Sequence, residues 1–178
     1  MSIKNPHAVY INCDGAMDYD KHNTGGVGFV ISFPDNTKLE EIQISKGSYI
    51  GGNIERIEYE ALIQGMQFIL KLFSDKKSEL KSISQIIFIS DRYALNDNER
   101  TNPYRIKELR KNNWKNFEGK PIKNHELLDK LDKLRKKISV QTGCRINIEY
   151  WPRKKNKVAD KLAKAGKNLG GNNSSLSK

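Results

Sequence analysis

Hydrophobic and polar positions alternate in the first part of the chain and then change period. In "HAVYINCDG" Val9, Ile11 and Cys13 alternate with Tyr10, Asn12 and Asp14, a strand pattern that stops at Gly15. "GGVGFVISF" and "KLEEIQIS" read as two further strands of an antiparallel meander, joined through a hairpin turn at "PDNT". From about Ile54 to Phe73 the period becomes helical. At about 100° per residue, Glu60, Gln64, Gln67 and Lys71 share one narrow sector, and Ala61, Leu62, Met66, Phe68, Ile69, Leu70, Leu72 and Phe73 fill the rest. Glu58 falls among the apolar positions. "ISQIIFIS" is a nearly continuous apolar run, the signature of a strand buried on both faces, and it ends at Asp91. Residues 96–141 are helical and basic, with a break at "FEGKP"; "CRINIEYW" supplies a fifth strand, and a last helix runs from about Lys154 to Lys167. The pattern therefore predicts an α/β fold of order β-β-β-α-β-α-β-α. Its five-stranded mixed sheet has three antiparallel strands and then parallel additions, and helices flank it.

Length and composition keep this to one domain, expected over residues 1–168, with "GGNNSSLSK" as a disordered tail over 169–178. No run approaches a membrane span and the first residues lack the apolar core of a secretory signal, so no membrane contact and a cytoplasmic location are expected. Cys13 and Cys144 lie in predicted strands without metal-ligand spacing and read as buried free thiols. Charge alters the picture more. Residues 1–100 carry 11 Lys and Arg against 14 Asp and Glu, whereas residues 101–178 carry 21 against 7. A polyanion is a natural partner for the second part, although solvated helix faces in a lysine-rich chain account for the count equally well.

Four carboxylates stand at element ends: Asp14 after the first strand, Asp91 after the fourth, Glu58 early in the central helix and Asp160 early in the last. Singly, each has a structural reading as a turn residue, a cap or a helix N-terminal acid. Glu58 is the hardest to dismiss. A charge among apolar side chains needs donors or a cation, and no basic residue lies at helical spacing from it. Four acids gathered together would repel one another unless a divalent cation sat among them, and Mg²⁺ suits such an all-oxygen site.

These stretches carry a specific resemblance. "YINCDGA", "RIEYEALIQGM", "FISDRYAL" and "PRKKNKVADKLA" resemble, in order and separation, the four acidic motifs of type 1 ribonuclease H. "RIKELRKNNWKNFEGKPIKNHELLDKLDKL" resembles the basic protrusion, or handle, of the members that have one, here about residues 103–125. The resemblance implies a ribonuclease H-like fold and an endonuclease that hydrolyses the RNA strand of RNA/DNA hybrids, leaving 5′-phosphate and 3′-hydroxyl ends. It implies two Mg²⁺ ions, with Mn²⁺ as the alternative, on Asp14, Glu58, Asp91 and Asp160. Gly15, Asn53, Arg56, Arg92, Tyr93, Lys111, Trp114, Lys120, Lys123, Arg153 and Asn156 are then the expected nucleic-acid contacts, and the protein is expected to act as a monomer. Double-stranded RNA is a second candidate ligand. Read plainly, Trp114 staples two short helices and Arg153 is a surface arginine. The chain departs from its relatives where Thr-Asn-Asn gives way to Asn53, Ile54 and Glu55, where Ser-Gln gives way to Arg92 and Tyr93, and in having no histidine beyond His125. Two rival readings stay open: a non-catalytic module that binds hybrid or double-stranded RNA, and an integrase-like enzyme acting on DNA.

Overall fold

The computed structural model describes residues 5–19, 24–48, 53–92 and 105–169. Its elements are β1 (Ala8–Met17), β2 (Gly25–Ser32), β3 (Ile42–Ser48), α1 (Ile54–Asp75), β4 (Gln85–Ser90), α2 (Arg105–Lys111), α3 (His125–Thr142), β5 (Arg145–Tyr150) and α4 (Lys157–Leu169). The five strands form one sheet in the order β3-β2-β1-β4-β5. β1, β2 and β3 pair antiparallel, while β4 joins β1 and β5 joins β4 in parallel. No helix among the described residues is long and apolar enough to cross a membrane.

Alternation along β1 separates the two faces of the sheet. Val9, Ile11 and Cys13 join Phe29, Ile31, Ile86 and Phe88 in the main core, where Ile57, Leu62, Met66 and Ile69 of α1 and Leu128 and Leu131 of α3 cover them. Ala8 points the other way, into a smaller cluster with Ile87 and Ile89. β4 is buried on both sides from Ile86 to Ser90, as its unbroken apolar run predicts. α4 covers the far face at β2, where Gly26 and Gly28 leave room for its backbone: a Cβ on Gly26 would lie 2.0 Å from Lys167 N, and one on Gly28 would lie 2.3 Å from Ala163 N. Cys13 and Cys144 are buried and free.

Four boundaries differ from the sequence pattern. β1 does not stop at Gly15 but continues to Met17, because its main chain goes on pairing with β2 as far as Met17↔Gly25. "PDNT" forms a turn of 3₁₀ helix, Asp35–Thr37, closed by Lys38 at φ 57° rather than a tight hairpin turn. β3 begins at Ile42 instead of Lys38 and continues through Gly47 and Ser48, because its pairing with Gly25–Ile31 is made by main-chain groups whatever the side chains. Arg153–Lys155 form a separate 3₁₀ turn before α4, since Asn156 turns its side chain into β1.

Candidate active site

The parallel pairing of β1 and β4 runs from Ala8↔Gln85 to Asn12↔Ile89. Asp14 and Asp91 each lie two residues beyond that last pair, so the two chains deliver both carboxylates to one end of the sheet. Glu58 arrives from α1, whose start is capped by Asn53: its Oδ1 accepts the Arg56 N–H at 3.1 Å. α1 can press onto β1 at that point because residue 15 is glycine; a Cβ there would lie 2.7 Å from the Ile57 carbonyl carbon. The Gly15 N–H then donates to Glu58 Oε2 at 3.1 Å. At Gly15, an expected nucleic-acid contact, the close neighbour is thus α1.

One oxygen from each of Asp14, Glu58 and Asp91 lies within 4.8 Å of the others. Asp14 is 2% exposed and Glu58 6%. Burial first, and then the neighbouring acids, push both well above the ordinary carboxylate range. Asp14 Oδ2 is buried with no hydrogen-bond partner. A solvent-free acceptor facing two further carboxylates, with no donor to neutralise it, is what an oxygen-seeking divalent cation fits.

Asp160 stands apart from this trio. Its Oδ1 takes Arg153 Nη2 at 2.6 Å and its Oδ2 takes Lys164 Nζ at 2.6 Å. Burial raises its pKa, but those two cations outweigh burial and hold it below the usual value. It is near enough for its charge to raise the pKa of Asp14. Asn156 fixes the approach of α4: it is 2% exposed, donates to Cys13 O at 2.8 Å and accepts from Asn12 Nδ2 at 3.0 Å. Asn156, foreseen as a nucleic-acid contact, thus has its amide committed to β1 beside Asp14.

The remaining expected contacts divide. Arg56 is tied inward, its Nη1 donating to Asn124 Oδ1 at 3.1 Å and also to Glu126. Arg92 donates to Glu55 Oε1 at 3.0 Å. Trp114 is partly buried and packs against the main core, and α2 is held to α3 by Arg110 on Asp132 at 2.6 Å. Lys115 and Pro121 bridge the two arms of the loop that follows, a turn of chain bearing exposed Lys120 and Lys123. Lys111 and Lys120 each pair with a nearby glutamate, Glu108 and Glu118. Arg153 is exposed apart from its bond to Asp160. Tyr93, the first two residues of the expected protrusion and residues 170–178 lie outside the described residues. Sequence reasoning passed over Asn12 and Asn124, and marked Glu55 only as a departure from the family pattern. The signal for Asn12 was present: it shares the polar face of β1 with Asp14.

The buried acids make stability depend on pH. In the folded chain Asp14 rises from 3.8 to about 7 and Glu58 from 4.5 to about 9. The folded state therefore holds protons that the unfolded state has released. Metal-free stability should be greatest below about pH 4 for these groups and fall as pH climbs through 7 toward 9. Thermal unfolding in chelator should show a lower Tm at pH 8.5 than at pH 6, and added Mg²⁺ should close most of that gap. An unchanged Tm across this range would mean that the acids are not coupled to folding in this way.

Comparison with known proteins agrees with the geometry. The RNase H family profile matches residues 6–168. Ribonuclease H of Actinobacillus pleuropneumoniae is 32% identical over 155 residues, covering 81% of this chain and 80% of that protein. Ribonuclease HI of Haemophilus influenzae is 28% identical over 170 residues, 90% of each. Among solved structures, LC11-RNase H1 in complex with RNA/DNA hybrid aligns with a TM-score of 0.57 at 21% identity, over 90% of this chain and 96% of that one. The N-terminal RNase H domain of a Mycobacterium tuberculosis protein aligns at 0.55 and 23% identity, over 90% and 98%. With an acid-bearing strand pair, a glutamate from the crossing helix and this match over nearly the whole chain, the protein belongs to the ribonuclease H family.

Proposed function

We propose that this ribonuclease H hydrolyses the RNA strand of RNA/DNA hybrids, using two divalent ions, Mg²⁺ by preference, and leaves 5′-phosphate and 3′-hydroxyl ends. The observation that carries the reading is the convergence of Asp14, Glu58 and Asp91 within 4.8 Å, with Asp14 Oδ2 buried and unpartnered. These three acids hold the ions, and Asp160 is the fourth ligand beside them. Bound there, divalent cations supply Lewis-acid activation of water and neutralise charge on the phosphate.

The chain's own residues do the rest. Gly15 N–H fixes the Glu58 carboxylate, and Asn156 fixes the stretch of β1 that carries Asp14. Main-chain and amide groups therefore set the acids before substrate arrives, which spares reorganisation during the reaction. The relative captured with RNA/DNA hybrid supports hybrid as the ligand. Discrimination of the cut strand rests on its 2′-hydroxyl and on duplex shape, with double-stranded RNA as the second ligand to test. The protein acts as a monomer in the cytoplasm.

Labelled hybrid, double-stranded RNA, single-stranded RNA and double-stranded DNA, incubated with Mg²⁺, Mn²⁺ or chelator, test the activity. Hybrid alone should be cut, and only with metal; intact hybrid in both metals would sink the proposal. The exposed Lys120 and Lys123 should hold phosphates at a distance from the chemistry. Replacing both by Ala should weaken hybrid binding and lower the slope of log affinity against log salt by about two. An unchanged slope would remove this loop from the binding surface.

A further inference from the structure

Beside the carboxylate site lies a second polar knot, centred on Glu55. This residue is the second of α1 and accepts three hydrogen bonds from three parts of the chain. Its Oε1 takes Arg92 Nη2 at 3.0 Å and the Tyr59 hydroxyl at 3.0 Å, and its Oε2 takes Asn124 Nδ2 at 2.8 Å. Asn124 is itself buried, sits at φ 60° and receives Arg56 on its other amide atom. Arg92 directly follows Asp91, and its N–H is caught by Ser90 Oγ at 3.1 Å. Ser90 is buried. The backbone that carries Asp91 and the side chain of Arg92 are thus both anchored.

An acid in the first turn of a helix is commonplace, and a partly exposed ion pair adds little to stability. Neither fact accounts for a carboxylate whose two oxygens take three donors, from α1 itself, from a residue beyond β4's end and from the residue before α3. Nor is a bare acid at the lip of a polyanion site favourable, because it repels phosphate unless a cation covers it. Arg92 covers it. A guanidinium has five N–H donors in a rigid fork, and among the described residues only one Nη is engaged, by Glu55. The Arg92 side chain remains 30% exposed. Its charge also lowers the pKa of Glu58, which shows how close the cation stands to the acids.

We propose that Glu55 is a positioning residue: by holding Arg92 and Asn124 at the N-terminus of α1, it aims the remaining Arg92 donors at a backbone phosphate of the strand lying over Asp91. This rests on the reading of the chain as a hybrid-binding enzyme. It assigns a task to two positions where the chain departs from its relatives.

The test is binding of labelled RNA/DNA hybrid in chelator, at several salt concentrations, by the intact chain and by Arg92→Ala, Glu55→Ala, the double variant and Glu55→Gln. Arg92→Ala should weaken binding about tenfold, the loss of one charge-assisted bond, and lower the salt slope by about one. Glu55→Ala should weaken binding to a similar extent, although it removes a negative charge. The double variant should be no weaker than Arg92→Ala alone, and Glu55→Gln, which keeps an acceptor for Arg92, should recover most of the affinity. Tighter binding by Glu55→Ala, single losses that multiply in the double variant, or an unchanged slope in Arg92→Ala would each overturn the proposal. A single uncharged methylphosphonate placed near the cut should weaken the intact chain and leave Arg92→Ala no weaker still, a comparison that holds even if Glu55→Ala folds poorly. A chain that binds hybrid yet never cuts it in Mg²⁺ overturns the proposed activity alone. Multiplying losses in a chain that does cut overturn the positioning role alone.

Discussion

Asp14→Asn should reduce hybrid cleavage by at least about 10³-fold while leaving binding within a few-fold of the original. A bound divalent ion contributes several kcal/mol to stabilising charge on a phosphoryl group, and each 1.4 kcal/mol is about tenfold in rate. Asn keeps the size of the side chain and loses only the anionic oxygen that now lies buried without a partner. The same change should raise Tm in chelator above neutral pH, because it removes a carboxylate whose ionisation burial and Asp91 oppose. Glu58→Gln should behave alike: its oxygens sit beside Asp14 and Asp91, and Gly15 N–H can still find an acceptor. Glu60→Gln should do neither, since Glu60 lies on the outer side of α1 and bonds to Gln64 at 3.0 Å. Cleavage assays, hybrid binding and thermal unfolding on the same four proteins separate a chemical role from a structural one. If Asp14→Asn lost binding and cleavage together, the acid would be part of the scaffold.

Gly26→Ala should cost about 3 kcal/mol or more and abolish cleavage through a residue that touches no substrate. A Cβ at position 26 would lie 2.1 Å from Ala163 O and 2.5 Å from the Gly166 carbonyl carbon, all main-chain atoms that cannot rotate away. α4 would have to lift from β2. Overpacking of this kind in a tightly packed contact usually costs about 1–3 kcal/mol, and a clash with several main-chain atoms of one helix belongs at or beyond the top of that range. Asp160 and its partner Lys164 ride on the same helix, so the displacement would carry a carboxylate away from the trio. Chemical denaturation and activity measured on the same protein check both parts. A variant as stable as the original would mean that α4 does not pack so closely in solution.

Much of this was legible in the order of residues. Alternation in β1 and the unbroken apolar run of β4 identify two central strands; Asp91 directly follows β4, whereas Asp14 lies inside β1, whose pairing with β2 carries on to Met17. Helical periodicity puts Glu58 on the covered side of α1, where a charge is costly, and that cost marks it as something other than a surface acid. Such properties are local: they depend on which residues lie two, three or four apart, and the chain carries that information without folding.

Where the groups meet was decided only by tertiary structure. Four acids look equivalent as motifs, yet three converge while Asp160, held by its sequence neighbours Arg153 and Lys164, stands apart, because convergence depends on how β1, β4, α1 and α4 pack together. Gly15 is a close-approach residue by its type, but that α1 is the approaching body follows from strand and helix packing. Glu55 has an unremarkable place in the sequence; its three donors come from residues 4, 37 and 69 positions away and assemble only when α1, the end of β4 and the start of α3 meet. Short-range periodicity thus determined the elements and their buried faces, whereas the polar contacts that assemble the site, such as Gly15 with Glu58 and Arg92 with Glu55, were set by packing between residues distant in the chain.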